Sequence, residues 1–250
     1  MWIKRAWILG AALVTLQAAA VRAAELQVLA GGGIAAPLKE LAAQFEAATG
    51  HKLVIRFGTT PELIKMATTG GPFDAAVVPV DVMKDGAALA KFVPGAQTGI
   101  ARVGLGVAVR SGAPKPDIST PDALKKTLLS AQSIASIPAS ATGYLLARVY
   151  EKLGITEEMK ARTKPQPTPA QMVESVAKGE TELGVFLINV LTAPGLDVVG
   201  PFPAELQLEV VFTGAVAASA KEAEAARAFL QFITTPAAAA VIKAKGMTPG

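Results

Sequence analysis

From residue 25 onward the chain alternates short β-rich runs with stretches of helical spacing, and this alternation limits the possible folds more than any other feature. LQVLAG (26–31), KLVIRFG (52–58) and FDAAVVPV (73–80) read as strands. Between them, APLKELAAQFEAATG (36–50) repeats its apolar positions every three or four residues and stops at Gly50. TTPELIKMATTGG (59–71) offers Thr59 or Thr60 as a helix cap, Pro61 in the first turn and Gly70 just past the end. Such a pattern predicts parallel strands joined by helices.

Two runs break the alternation. ARVGLGVAVR (101–110) and LQLEVVFTGAVAAS (206–219) are long and β-like, with glycine near the middle at Gly104 or Gly106 and at Gly214. A chain that enters a second lobe and later returns needs two such crossings. Between them lies another alternating unit: AQSIASIP (131–138) as a strand, GYLLARVYEKLG (143–154) and PAQMVESVAKGE (169–180) as helices, and TELGVFLIN (181–189) as a strand. After the return, residues 221–246 read as helices broken at Pro236. The expected architecture is α/β and two-lobed, each lobe a mixed sheet flanked by helices, joined by two β-like hinge crossings. Lobe 1 is assigned to residues 24–105 and 209–250 and lobe 2 to 106–208.

Residues 1–23 stand apart. A basic start, MWIKR, precedes an apolar stretch of 15 residues and small residues before Ala24, the layout of a secretory signal peptide. The stretch is short for a membrane span, which needs roughly 20 residues. Its removal takes Lys4, Arg5 and Arg22 from the 24 basic residues and none of the 20 acids, so the net charge falls from +4 to +1. The remaining cations form no basic stripe interleaved with aromatics, which argues against a nucleic-acid partner. The chain has no cysteine, so an exported fold is held by its core alone. The expected location is the periplasm.

In two-lobed α/β folds the strand ends face a crevice lined by the turns that lead into helices. Four turns are candidates: Gly31–Gly33, Gly58–Thr60, Ser140–Gly143 and Thr168–Gln171. Each places unpaired backbone N–H groups at a helix start, where the helix dipole favours an anion. The hydroxyls of Thr59, Thr60, Ser140 and Thr142 add donors. The same residues are also ordinary helix caps and turn formers, so both readings of each turn stand.

The runs LQVLAGGGIAAPLKELAAQFEAATGHKLVIRFGTTPEL, GGPFDAAVVPVD, GLGVAVR, YLLARVYEKLG and GETELGVF together resemble the periplasmic molybdate-binding proteins of ABC importers, over about residues 25 to 246. The resemblance implies a type II periplasmic binding fold that closes on a tetrahedral oxyanion (molybdate or tungstate), held by serine hydroxyls and main-chain amides, and delivers it to an inner-membrane ABC permease. It also implies where the ligand set departs from the family pattern. The family's first loop reads Ala-Ala-Ser, and Gly33 stands at the serine position with Gly32 before it. Thr59 and Thr60 replace a run of serines, and Thr142 falls near an amide donor. Pro169 falls at another, so Ala170 or Gln171 must supply that N–H. Leu187 replaces a tyrosine, leaving Asn189 as the nearest polar group. With donors missing and a side chain removed at Gly33, a larger site is expected. A di- or tricarboxylate is then an alternative ligand, with Arg56 and Arg102 as candidate counter-charges.

Catalysis is not expected. There is no Gly-x-Ser-x-Gly elbow, no cysteine and no Walker loop, and the one histidine, His51, has no evident serine partner. His51 reads as a surface turn residue, Asp74 and Asp81 as turn caps, and Phe229, Phe232 and Ile233 as core. No cofactor or metal is expected, and the protein reads as a monomer that serves a permease or, alternatively, a sensor.

Overall fold

A computed structural model describes residues 23–250, so the expected leader lies outside the described residues except for Ala23. In chain order the elements are β1 (Glu25–Gly31), α1 (Ala35–Thr49), β2 (Lys52–Gly58), α2 (Thr60–Thr69), β3 (Ala75–Pro79), α3 (Gly86–Leu89) and β4 (Thr98–Arg110). Then follow α4 (Pro121–Ser130), β5 (Ile134–Ser136), α5 (Ala141–Leu153), α6 (Thr156–Arg162), β6 (Thr163–Pro165), α7 (Pro169–Ala177), β7 (Leu183–Leu187) and α8 (Ile188–Leu191). The chain ends with β8 (Leu196–Pro201), β9 (Glu209–Val216), α9 (Ala223–Phe232), α10 (Pro236–Ala244) and β10 (Thr248–Pro249).

Strands run in the order β2-β1-β3-β9-β4-β7-β5-β6, with β8 and β10 also paired to β4. β1 pairs in parallel with β2 and β3, and β5 in parallel with β6 and β7. β4 is antiparallel to all its neighbours and belongs to two sheets: residues 98–104 pair with β9, and residues 105–110 with β7 and β8. It is the first crossing between the lobes. The second runs beside it, from Pro201 opposite Gly106 to Glu209 opposite Gly104.

Regular strand on that return begins at Glu209, three residues later than the apolar pattern predicts. Phe202 N still bonds Leu105 O at 3.1 Å, but Pro201 and Pro203 lack an N–H for the ladder, and residues 203–208 leave it. The Gln207 side chain takes the vacant place: its Oε1 accepts from Leu105 N at 2.7 Å and its Nε2 donates to Leu105 O at 3.0 Å. Gly104 makes room for this, since a Cβ there would lie 2.9 Å from the Gln207 amide carbon.

Both faces of the first sheet are covered, as parallel strands require. Val28, Ala30, Ala75 and Val77 face the larger core, which extends through both lobes. Leu29, Ala76 and Val78 face a smaller one with Leu63, Phe73 and Phe92. Phe229 and Ile233 are fully buried, and Phe45 meets both Phe229 and Phe232 edge to face.

His51 and Asp74 differ from their expected surroundings. His51 is buried, accepts from Ala24 N through Nδ1 at 3.0 Å and stacks on Phe45. The helix-ending turn at Gly50 folds it back under α1, which sequence order alone does not reveal. Asp74 is buried too, and its carboxylate accepts from Gln27 N, Lys221 N and Glu222 N. Asp81 pairs with Lys84 at 2.8 Å on the surface.

Candidate functional site

The C-terminal ends of β1, β2, β5 and β7 open onto one cleft of about 320 Å³ between the lobes. All four candidate turns reach it. Gly31–Gly33 and Gly58–Thr60 line it from the first lobe, and Ser140–Thr142 and Thr168–Ala170 from the second. Its deeper wall is carbon: Pro79, Phe212 and Val210 from the first lobe, Ile137, Pro169 and Leu187 from the second.

Which of these groups remain free for a ligand is decided by their hydrogen bonds. Four helices begin with a Thr-Pro pair. At α4, α7 and α10 the threonine is the cap, and its hydroxyl accepts from the amide of Ala123, Gln171 or Ala238. At α2 the cap is Thr59, one residue earlier, so Thr60 becomes the first helical residue. Its hydroxyl is therefore released from capping. Thr60 is only 3% exposed, and its Oγ1 has no partner among the described residues.

Thr59 and Ser140 line the cleft, but their hydroxyls are engaged. Thr59 donates from both N (2.7 Å) and Oγ1 (2.9 Å) to Glu62 Oε2. Ser140 Oγ donates to Ile137 O at 2.6 Å and accepts from Gly143 N at 3.0 Å, which caps α5. Thr142, buried at the cleft wall, forms no side-chain hydrogen bond among the described residues. Gln171 lies outside the lining because its N and side chain both bond Thr168. At the start of α7 both Pro169, which has no N–H, and Ala170 line the cleft.

Gly33 does not enlarge the site. A Cβ there would lie 2.5 Å from Leu187 Cδ1 and 3.2 Å from Phe212 Cζ, so the space belongs to those two side chains. Asn189 sits behind this contact and outside the lining, donating from Nδ2 to Gly33 O at 2.9 Å. The arginines lie elsewhere. Arg102 is half exposed and 3.6 Å from Glu209, while Arg56 bonds Gly70 O and Pro72 O.

Among the lining residues not singled out from the sequence, two are ionisable: Lys39 and Glu62. Lys39 follows Ala35 by one turn on α1, on the face that reaches the cleft, and its Nζ lies 5.5 Å from the Phe57 ring centre. Glu62 is three residues after a threonine cap, the spacing of a capping box. Both signals are legible in the sequence.

A family model described as a bacterial extracellular solute-binding protein matches residues 26–248. The chain belongs to the bacterial extracellular solute-binding proteins. It is 38% identical over 237 residues to an aconitate isomerase from a Pseudomonas species, covering 90% of this chain and 87% of that one. It is 30% identical over 247 residues to the molybdate-binding protein ModA of Azotobacter vinelandii, covering 95% and 94%. The solved periplasmic molybdate-binding protein of Azotobacter vinelandii superposes with a TM-score of 0.75 at 22% identity, covering 89% of this chain and 98% of that one. The fold is thus the type II periplasmic binding fold, and the protein is a solute-binding protein of the molybdate-binding type.

Proposed function

We propose that the cleft captures a small organic polycarboxylate, aconitate or a close analogue, by closure of the two lobes in the periplasm, for delivery to an inner-membrane ABC permease. The observation that carries this reading is the carbon wall behind the donors. Leu187 and Phe212 fill the space beside Gly33, so the floor offers nothing to a fourth oxyanion oxygen. An oxygen left unpaired there would carry a desolvation cost of several kcal/mol. A carbon skeleton suits that wall, while its carboxylates meet the first-turn amides of α2, α5 and α7 and the hydroxyls of Thr60 and Thr142. The volume, about ten times the roughly 30 Å³ share of one water, leaves room for such a skeleton.

Calorimetry on the chain from Ala24 onward, with cis-aconitate, trans-aconitate, citrate and molybdate, tests it. Saturable binding of a tricarboxylate and none of molybdate is expected. Molybdate binding without tricarboxylate binding overturns it.

The aconitate isomerase relative and the two ionisable groups of the cleft favour a second reading, in which the bound acid is isomerised. Glu62 keeps Oε1 free while Thr59 holds Oε2. Such a carboxylate can take a proton from the methylene carbon of aconitate and return it to the far carbon of the allylic system. The double bond moves and no co-reactant is consumed. Proton NMR in D₂O distinguishes the readings: appearance of trans- from cis-aconitate, abolished in Glu62→Gln while binding persists, supports isomerisation. Binding without conversion leaves capture alone.

A further inference from the structure

Across the first turn of α5 from the cleft lies a second cavity, of about 340 Å³, which shares no lining residue with it. Its walls come from α5, α6 and the ends of β5 and β6, and they are mostly carbon: Pro138, Leu146, Ala147, Met159 and Pro165. Into this setting the fold places Tyr150, 8% exposed, whose hydroxyl has no hydrogen-bond partner among the described residues. Buried polar groups are otherwise almost always paired. Ser136, also buried at the cavity wall, forms no side-chain hydrogen bond among the described residues either.

Of the other polar neighbours, Thr156 forms no side-chain hydrogen bond among the described residues, while Thr163 and Lys160 are engaged. Thr163 Oγ1 donates to Met159 O at 2.6 Å, and Lys160 Nζ is 2.7 Å from Glu157. The one cation at the wall is therefore already paired, and nothing there calls for a charged guest. Burial raises the Tyr150 pKa above the ordinary tyrosine value, so the phenol stays a donor at neutral pH.

We infer that this cavity is a second ligand site, for a small neutral molecule that is largely apolar and carries one hydrogen-bond acceptor, such as a carbonyl or lactone oxygen, for the Tyr150 hydroxyl. The site does not depend on what the cleft binds. A polar tip set in a carbon-lined pocket orients a ligand by one bond and holds it by apolar contact.

The chain carries its own reporter. Its only tyrosines, Tyr144 and Tyr150, both line this cavity, and its two tryptophans, Trp2 and Trp7, precede Ala24. Tyrosine emission of the chain from Ala24 onward therefore originates here alone. Titration with γ-valerolactone, which is transparent at the exciting wavelength, is expected to give a saturable change. Tyr150→Phe keeps the ring and removes the donor: its melting temperature should hold or rise and its affinity should fall at least tenfold. Ala147→Leu, which fills the cavity from an exposed position, should abolish the response. No saturable change in the parent chain overturns the site, as does undiminished affinity in either variant. A crystal soaked with the lactone that shows only water on the Tyr150 hydroxyl overturns it as well.

Discussion

Thr60 and Ser140 both line the cleft, but their hydroxyls are prepared for different tasks. Ser140 is bonded on both sides, to Ile137 O and Gly143 N, so it holds α5 in place. The Thr60 hydroxyl has no partner among the described residues, and under the proposed function the ligand supplies one. Thr60→Val should therefore weaken ligand binding by about ten- to a hundredfold, since a hydrogen bond to a charged group is worth about 1.5–3 kcal/mol. Stability should be unchanged or slightly higher. Ser140→Ala should reverse the emphasis, costing about 0.5–2 kcal/mol of stability through the lost cap. Calorimetry and urea unfolding on both variants check the contrast, and a T60V variant that binds normally removes Thr60 from the site. Gly33 gives a second test. Gly33→Ser must displace Leu187 and should cost about 1–3 kcal/mol by overpacking. Adding Leu187→Ala should recover part of that cost, so a double-mutant cycle by urea unfolding should show a favourable coupling. Simple additivity would mean that the two side-chain positions do not compete for one space.

At the scale of elements, Asp74 shows what joins the pieces of a discontinuous lobe. It precedes β3, and its carboxylate binds the Gln27 amide of β1 and the Lys221 and Glu222 amides ahead of α9, a segment that returns to the lobe after the excursion through the other one. Asp74→Ala leaves three amides without this acceptor, two of them on the exposed residues Lys221 and Glu222, and should lower stability by about 1–3 kcal/mol. A shift of the urea midpoint below that scale would show that water replaces the carboxylate. Local pattern made many elements legible in advance: β1 to β3, α1, α2, α5, α7, α9 and α10 all follow from periodicity, glycine stops and threonine or proline starts. The short β6, TKP, and β8, LDVVGP, carry too few apolar residues to stand out, and their pairing to β5 and β4 is a tertiary effect. The four turns of the cleft were legible for the same local reasons. The state of each donor was not, because it depends on remote contacts: Leu187 against Gly33, Asn189 on the Gly33 carbonyl, or the one-residue offset that frees Thr60.

On the scale of the whole molecule, the two lobes share one apolar core and a few polar bonds, and under the proposed capture by closure those bonds bear on the balance between open and closed forms. Gln207 brackets the main chain of Leu105, where β4 passes from one sheet to the other, and Asn189 ties α8 of the second lobe to the Gly33 carbonyl of the first. These bonds act differently on an open and closed equilibrium. The Gln207 pair lies on the crossing itself and is kept whichever way the lobes swing, so Gln207→Ala should act mainly on stability: Leu105 is fully buried, and its freed N–H would find no water. If the lobes part as the proposed capture by closure requires, the Asn189 bond belongs to the closed form alone. Removing it should cost that form about 1 kcal/mol and shift the ratio about fivefold toward open. Asn189→Ala should accordingly bind ligand several-fold more weakly although Asn189 does not line the cleft, and its ligand-free form should have a larger radius of gyration by small-angle X-ray scattering. If Asn189→Ala matches the parent chain in both affinity and radius while Gln207→Ala opens the molecule, then the hinge, and not the contact between the lobes, sets the closure equilibrium.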